Sequence, residues 1–242
     1  KYKLAQLVQM NEALFDMSTF FNIPMTSGKD SMKNDFKRDN VKISIPPTIL
    51  YSMVSQIDDV RKCVTSDFKK KNDLIYLVGK TYNELGGSVF YQLFDKLGAN
   101  VPKVRKNDAK RIYQKMMKAN SKTIIESSHD ISNGGLVVAI IESAFDGNMG
   151  ADIFFTNSEI GINAELFSES HSRFVVSIQP KNQNRFEKIF GNDCKLLGKI
   201  TNDNMLNIYE NGKKFVEIQM EELLNKWNNG LKDTKKSHEM HE

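Results

Sequence analysis

The sequence predicts an α+β fold, because helix-like and strand-like segments are mixed along the chain without strict alternation. Three observations carry this. Apolar residues near the amino end recur at helical steps, several short apolar runs are bounded by turn residues, and Asn211-Gly212 joins two of those runs as in a hairpin. The chain has 242 residues, enough for one large domain or two small ones. With 40% hydrophobic and 26% charged residues it has ordinary globular usage, which excludes wholesale disorder.

Taken in order, Leu4, Leu7, Val8, Leu14, Phe15, Met17 and Phe21 step by threes and fours, predicting a helix over residues 2–21. A chain that opens in mid-helix, with no start methionine or N-cap, reads as a piece of something longer. Pro24 ends the helix by disfavouring helical geometry in the residue before it. Residues 26–35 form a polar turn. Val41, Ile43 and Ile45 alternate as a half-buried strand broken by Pro46-Pro47, and residues 49–54 read as another strand. Residues 66–72 turn polar and lysine-rich, which places a domain boundary there.

Beyond the boundary, residues 73–78 read as a buried strand, 86–97 and 108–119 as helices, and Ile124-Ile125 as the start of a short strand. Residues 136–145 are too broadly apolar for a surface helix and should cover a sheet. Residues 152–155 form a strand, 162–167 a short helix, 173–178 a strand and 183–190 a helix. Strands at 195–200, 205–209 and 215–218 follow, then a helix over 220–227 and a frayed charged tail. The expected domains are thus 1–66, 73–230 and a tail at 231–242.

Composition excludes several functions. No apolar run approaches the roughly 18 residues of a membrane span, and no secretory leader opens the chain. Cys63 and Cys194 are too few for a disulfide framework and lack metal spacing, which fits a reducing cytoplasm. The net charge of +4 invites a nucleic-acid reading. Its lysines are dispersed, however, and the densest run, Lys69-Lys70-Lys71, sits in a polar connection that reads as a solvated loop, so no nucleic-acid partner and no membrane partner are expected.

Three segments could carry chemistry. Ser27-Gly28-Lys29-Asp30-Ser31 combines a permissive glycine, a lysine charge for phosphate and a carboxylate suited to Mg²⁺. It lacks the first glycine of a Walker A loop, and a plain hydrophilic turn explains it as well. His129-Asp130-Ile131-Ser132-Asn133-Gly134-Gly135 precedes an apolar helix, whose start could offer N–H groups to an anion. Asp130 and Ser132 would equally serve as helix caps. Ser168-Glu169-Ser170-His171-Ser172-Arg173 could grip a phosphate or ribose, or simply connect a helix to a strand.

These segments occur in an order that resembles the C-terminal part of the phosphoribosylformylglycinamidine synthase family. The resemblance runs over about residues 2–218. Its carriers are Gln6-Leu7-Val8, Asn11-Glu12-Ala13-Leu14, Ile23-Pro24-Met25, Gly28-Lys29-Asp30-Ser31-Met32 and Ile43-Ser44-Ile45-Pro46-Pro47-Thr48. They continue through Val60-Arg61-Lys62-Cys63-Val64-Thr65, Glu84-Leu85-Gly86-Gly87-Ser88, the Asp130–Gly135 segment and Phe167-Ser168-Glu169-Ser170.

The resemblance implies the end of an N-terminal, ATP-binding synthetase-type domain. A complete mixed-sheet C-terminal domain of the aminoimidazole ribonucleotide synthetase-like superfamily would follow it. It implies a ligase that uses ATP, with Mg²⁺, to convert formylglycinamide ribonucleotide and glutamine-derived ammonia into formylglycinamidine ribonucleotide, ADP and phosphate. By resemblance, Gly28, Lys29 and Ser31 contact nucleotide or substrate, Asp30 holds the metal, and Lys29 is the alternative metal-facing position. Asp130, Ser132, Asn133, Gly134, Gly135, Ser168, Glu169 and Ser170 would line the nucleotide pocket of the second half, with Asn133 standing where Asp is commoner.

The catalytic histidines belong to the absent first half, so this chain alone should be inactive, with no catalytic residue assigned within it. Implied partners are that missing N-terminal half, a glutaminase subunit or domain supplying ammonia, and a third small subunit. Two alternatives stay open: another ATP-binding enzyme of the same superfamily, or a non-catalytic nucleotide-binding assembly module.

Overall fold

The computed structural model describes residues 2–29, 31 and 35–239. The chain forms two compact units, Lys1–Asp58 and Asp59–Glu242.

In the first unit, helix α1 spans Tyr2–Phe21 and ends where Asn22 adopts φ 56° ahead of Pro24. A hairpin follows, pairing β1 (Phe36–Arg38) with β2 (Val41–Ile43) around Asp39 at φ 50°. Lys42 Nζ lies 3.1 Å from Asp35 Oδ2, and the Ser44 hydroxyl donates to Asp35 Oδ1 at 3.0 Å. These contacts hold the Asp35 carboxyl below its ordinary range, the Lys42 bond contributing most. None of the described residues in this unit is buried, and Leu4, Phe15, Met25 and Val54 are all exposed. Residues 49–54 form no strand. Pro46-Pro47 removes two backbone donors just upstream, and no described neighbour pairs with the segment.

The second unit is built on a seven-stranded mixed sheet among the described residues, in the order β4-β6-β3-β7-β5-β8-β9. The strands are β3 (Leu74–Val78), β4 (Ile125–Asp130), β5 (Gly150–Phe155), β6 (Phe174–Ile178), β7 (Cys194–Thr201), β8 (Met205–Glu210) and β9 (Lys213–Gln219). Neighbours run antiparallel except β5 and β8.

Period-two alternation in β3 sends Ile75 and Leu77 to one face and Tyr76 and Val78 to the other, and both faces are covered. Helices α4 (Gly135–Gly147), α5 (Ile162–Phe167) and the start of α7 (Met220–Glu239) pack on the first face. Helices α3 (Lys106–Ser121) and α6 (Gln183–Phe190) pack on the second, where Phe186 meets Tyr76 at 4.8 Å and the Tyr76 hydroxyl donates to Glu187 at 2.7 Å. Leu136, Val137 and Ile140 of α4 are buried, each contributing roughly 1.5–3 kcal/mol of apolar burial. The sequence-predicted covering helix is therefore a core element.

The unit boundary falls between Asp58 and Asp59, ahead of the lysine-rich stretch at 66–72. Phe68 is the reason: it is 1% exposed, packs in the core, and its N–H bonds the Ser143 carbonyl at 2.9 Å. The helix expected over 86–97 shrinks to α2 (Val89–Gln92), capped by Ser88 and stopped by Asp95 at φ 53°. In place of a fraying tail, α7 continues through Glu239, past Asn228-Asn229-Gly230.

Candidate functional site

Strand pairing explains how two distant motifs meet. β4 and β6 are antiparallel neighbours with Asp130 opposite Phe174, so the exit of β4 lies beside the entry to β6. The turn after β4 (Ile131 to Gly134) and the 168–173 loop are thereby forced together, and the Ile131 N–H bonds the Arg173 carbonyl at 3.0 Å.

The amino end of α4 is not capped by Asp130 or Ser132. Its cap residue is Gly134 at φ 80°, whose N–H donates to Glu169 Oε1 at 2.9 Å. The same carboxylate oxygen accepts the Val89 N–H at 2.9 Å, at the start of α2. One side chain thus satisfies the orphan amides of two helix starts and lies where each helix dipole favours negative charge. Gly135, at φ 76°, is required by packing: a Cβ there would sit 2.7 Å from the Leu166 carbonyl oxygen.

The 168–173 loop is anchored from inside. Arg173 is 1% exposed, and its guanidinium donates to the Ser170 carbonyl at 2.8 Å, to Thr81 Oγ1 at 3.0 Å and to the Ser168 carbonyl. Burial lowers its pKa to about 10, against the pull of Glu84, Glu165 and Glu169. Ser168 and Ser170 are fully buried, and their hydroxyls accept the Glu84 and Tyr82 N–H groups, each at 3.2 Å. Both serines join the loop to residues 82–84. Glu84 is held in turn by Arg105 at 2.7 Å; burial works to raise its carboxyl, but the Arg105 and Ser170 bonds bring it below the ordinary range.

What remains open to a ligand is a cavity of about 300 Å³ lined by Asp130, Ser132, Asn133, Glu169, His171 and Arg173, with Tyr113 of α3 at its wall. Sequence reasoning missed Tyr113, whose hydroxyl lies 3.1 Å from Ser172 Oγ. It arrives from a helix with a mainly polar sequence, and nothing local to it signals a site. His129 lies beside this turn, with Nε2 3.1 Å from Glu142 and Nδ1 2.7 Å from the Asp130 carbonyl oxygen.

Gly28, Lys29 and Ser31 lie in the first unit and are exposed; Lys29 Nζ donates to Ser31 Oγ, and a Cβ on Gly28 would meet nothing within 4 Å. Asp30 lies outside the described residues. Among the described residues no group of three or more His, Cys, Asp or Glu side chains could hold a metal ion. Cys63 and Cys194 are free thiols, and burial pushes Cys194 up to about 11. No helix is long and apolar enough to cross a membrane, among the described residues.

A mixed sheet with helices on both faces and a glycine-led helix start beside its edge strand defines a mixed-sheet α+β domain. Residues 70–210 match the family described as AIR synthase related protein, C-terminal domain, and the chain belongs to that family. It is 33% identical over 214 residues to phosphoribosylformylglycinamidine synthase subunit PurL of Thermoanaerobacter pseudethanolicus, covering 87% of this chain and 28% of that protein. The PurL subunit of Leuconostoc mesenteroides is 33% identical over 208 residues, 86% of this chain and 27% of that one. The chain thus spans less than a third of the length of these curated relatives.

Among solved structures, Thermotoga maritima PurL complexed with FGAR superposes with a TM-score of 0.60 at 17% identity, over 68% of this chain and 30% of that one. The same protein complexed with ATP gives 0.54 at 16% identity, over 67% and 27%. A chain of PurLQS from Thermotoga maritima gives 0.56 at 17% identity, over 66% and 27%. These likenesses establish the fold.

Proposed function

We propose that this chain is the C-terminal portion of a phosphoribosylformylglycinamidine synthase. The parent enzyme would convert formylglycinamide ribonucleotide, ATP and ammonia into formylglycinamidine ribonucleotide, ADP and phosphate. The observation that carries this reading is the 33% identity spread over 87% of the chain to a protein of that name. The first unit supports it independently. None of its described residues is buried, as expected of part of a larger domain whose core is completed elsewhere in the polypeptide.

In the reaction, the amide oxygen of the substrate attacks the γ-phosphoryl group of ATP and releases ADP. Ammonia then adds to the activated carbon and displaces phosphate, leaving the amidine. Within this chain we assign nucleotide or substrate contacts to Gly28, Lys29 and Ser31, and to the open cavity formed by Asp130, Ser132, Asn133 and Glu169. Gly134, Gly135, Ser168 and Ser170 act on that cavity by shaping it. Arg173 positions the loop that carries Glu169. The carboxylate of Asp30 would hold Mg²⁺, as the resemblance implies, and the ion would neutralise charge on the nucleotide phosphates. A glutaminase partner would deliver the ammonia, and the cytoplasm is the expected setting.

The test is turnover by the intact parent protein, followed as ADP release that depends on both formylglycinamide ribonucleotide and an ammonia source. The 242-residue chain by itself should give none. ADP release by the parent that is indifferent to formylglycinamide ribonucleotide would refute the assignment.

A further inference from the structure

A second cavity, of about 480 Å³, shares Asp130, Ser132 and Asn133 with the first and reaches the middle of α7. Val89, Val138 and Trp227 give it an apolar lining, and His129 and Glu142 supply its polar edge. Trp227 is the sole tryptophan of the sequence and lies outside the family-matched residues 70–210.

Its place on α7 has a physical logic. Met220, Leu223 and Trp227 follow one another at steps of three and four, so they share one stripe of the helix. Met220 and Leu223 pack into the core, whereas Trp227, next along that stripe, is 60% exposed at the cavity. The helix therefore holds a large flat indole beside a concave space without filling it. An aromatic platform with a few polar groups nearby is the usual means of gripping a flat ring.

We propose that Trp227 is a stacking platform for an adenine-type ring, a planar heterocycle carrying an exocyclic amino group. The indole face supplies stacking, and the Glu142 carboxylate, held 3.1 Å from His129, supplies an acceptor for the amino group. The Ser132-Asn133 turn then faces the sugar and its substituents. This rests on the nucleotide reading above and extends it by assigning the base to a residue on α7.

Because Trp227 is alone, its fluorescence reports its own environment. The whole 242-residue chain is titrated with adenosine, inosine and ATP while emission is recorded, and binding is measured in parallel by equilibrium dialysis. Saturable quenching by adenosine and ATP is expected, weaker with inosine. Trp227→Leu should weaken adenosine binding on the order of tenfold, Trp227→Phe should restore most of it, and both variants should keep the wild-type far-ultraviolet circular dichroism. If ATP binds by dialysis but leaves Trp227 emission unchanged, and Trp227→Leu binds like wild type, the platform is wrong and the nucleotide reading survives. If neither ATP nor adenosine binds at millimolar concentration, both fail.

Discussion

Glu169 caps α4 from 35 residues downstream: its Oε1 accepts the Gly134 N–H at 2.9 Å. Because the same oxygen also accepts the Val89 N–H, removing the carboxylate exposes two helix starts at once. Glu169→Ala should cost about 1–2 kcal/mol in urea unfolding. It should also speed hydrogen exchange at Gly134 and Val89 more than elsewhere. Glu169→Gln, which keeps an acceptor but no charge, should fall between. Unchanged exchange at both amides in Glu169→Ala would show that the cap is dispensable.

Two glycines of the sequence motifs should behave oppositely. Gly135→Ala places a Cβ 2.7 Å from the Leu166 carbonyl oxygen at a φ of 76°, and should destabilise by roughly 2 kcal/mol or more. Gly28→Ala meets open space and should leave the melting temperature unchanged. Any loss of nucleotide binding in Gly28→Ala then reports a ligand contact directly. Equal stability of the two variants would contradict the packing argument.

Arg173 should prove a scaffold residue. Lys cannot reproduce a planar guanidinium that donates to Ser170, Thr81 and Ser168 together. Arg173→Lys should therefore destabilise by about 2 kcal/mol or more, measured by thermal melting in the absence of any ligand. A variant that melts like wild type but fails to bind anions would instead make Arg173 a ligand contact.

Asp73 sets a pH dependence far from the cavity. It is 3% exposed, its Oδ2 has no hydrogen-bond partner among the described residues, and burial, aided by Glu126, pushes its carboxyl up to about 6. A folded-state value raised above the unfolded one means the fold prefers the protonated form. The stability this group contributes is full below about pH 4 and is lost as pH rises through about 6. Asp73→Asn should therefore be more stable than wild type at neutral pH, on the order of 1–2 kcal/mol, with the difference shrinking toward pH 4. A constant difference across that range would rule this out.

Local signals made most of the second unit legible. The helix over residues 183–190 and the hairpin at Asn211-Gly212 follow from apolar period and turn chemistry, and both appear where expected. The two motifs around Asp130 and Glu169 were also visible as segments. Their mutual arrangement was not, because the β4–β6 pairing that joins them is set by tertiary contacts. For the same reason Asp130 and Ser132 looked like caps: the true cap, Glu169, is distant in sequence. Ser168 and Ser170 read as ligand hydroxyls because burial cannot be seen in a polar loop. The strand expected over 49–54 failed for want of a partner strand, and the helix over 86–97 because Asp95 turns left-handed.

In the proposed enzyme this chain completes an ATP-using synthase, with residues Gly28 to Ser31 at the phosphates. The most direct measurement is ADP release by the intact parent in the presence of formylglycinamide ribonucleotide and ammonia, compared between wild type and Asp30→Asn, with melting temperatures taken on both. Substrate-dependent ADP release matched by formylglycinamidine ribonucleotide is expected, with a loss on the order of 10²-fold in Asp30→Asn and its melting temperature unchanged. Wild-type ADP release that ignores formylglycinamide ribonucleotide would contradict the enzyme assignment, and full turnover by Asp30→Asn at limiting Mg²⁺ would contradict the role of the loop.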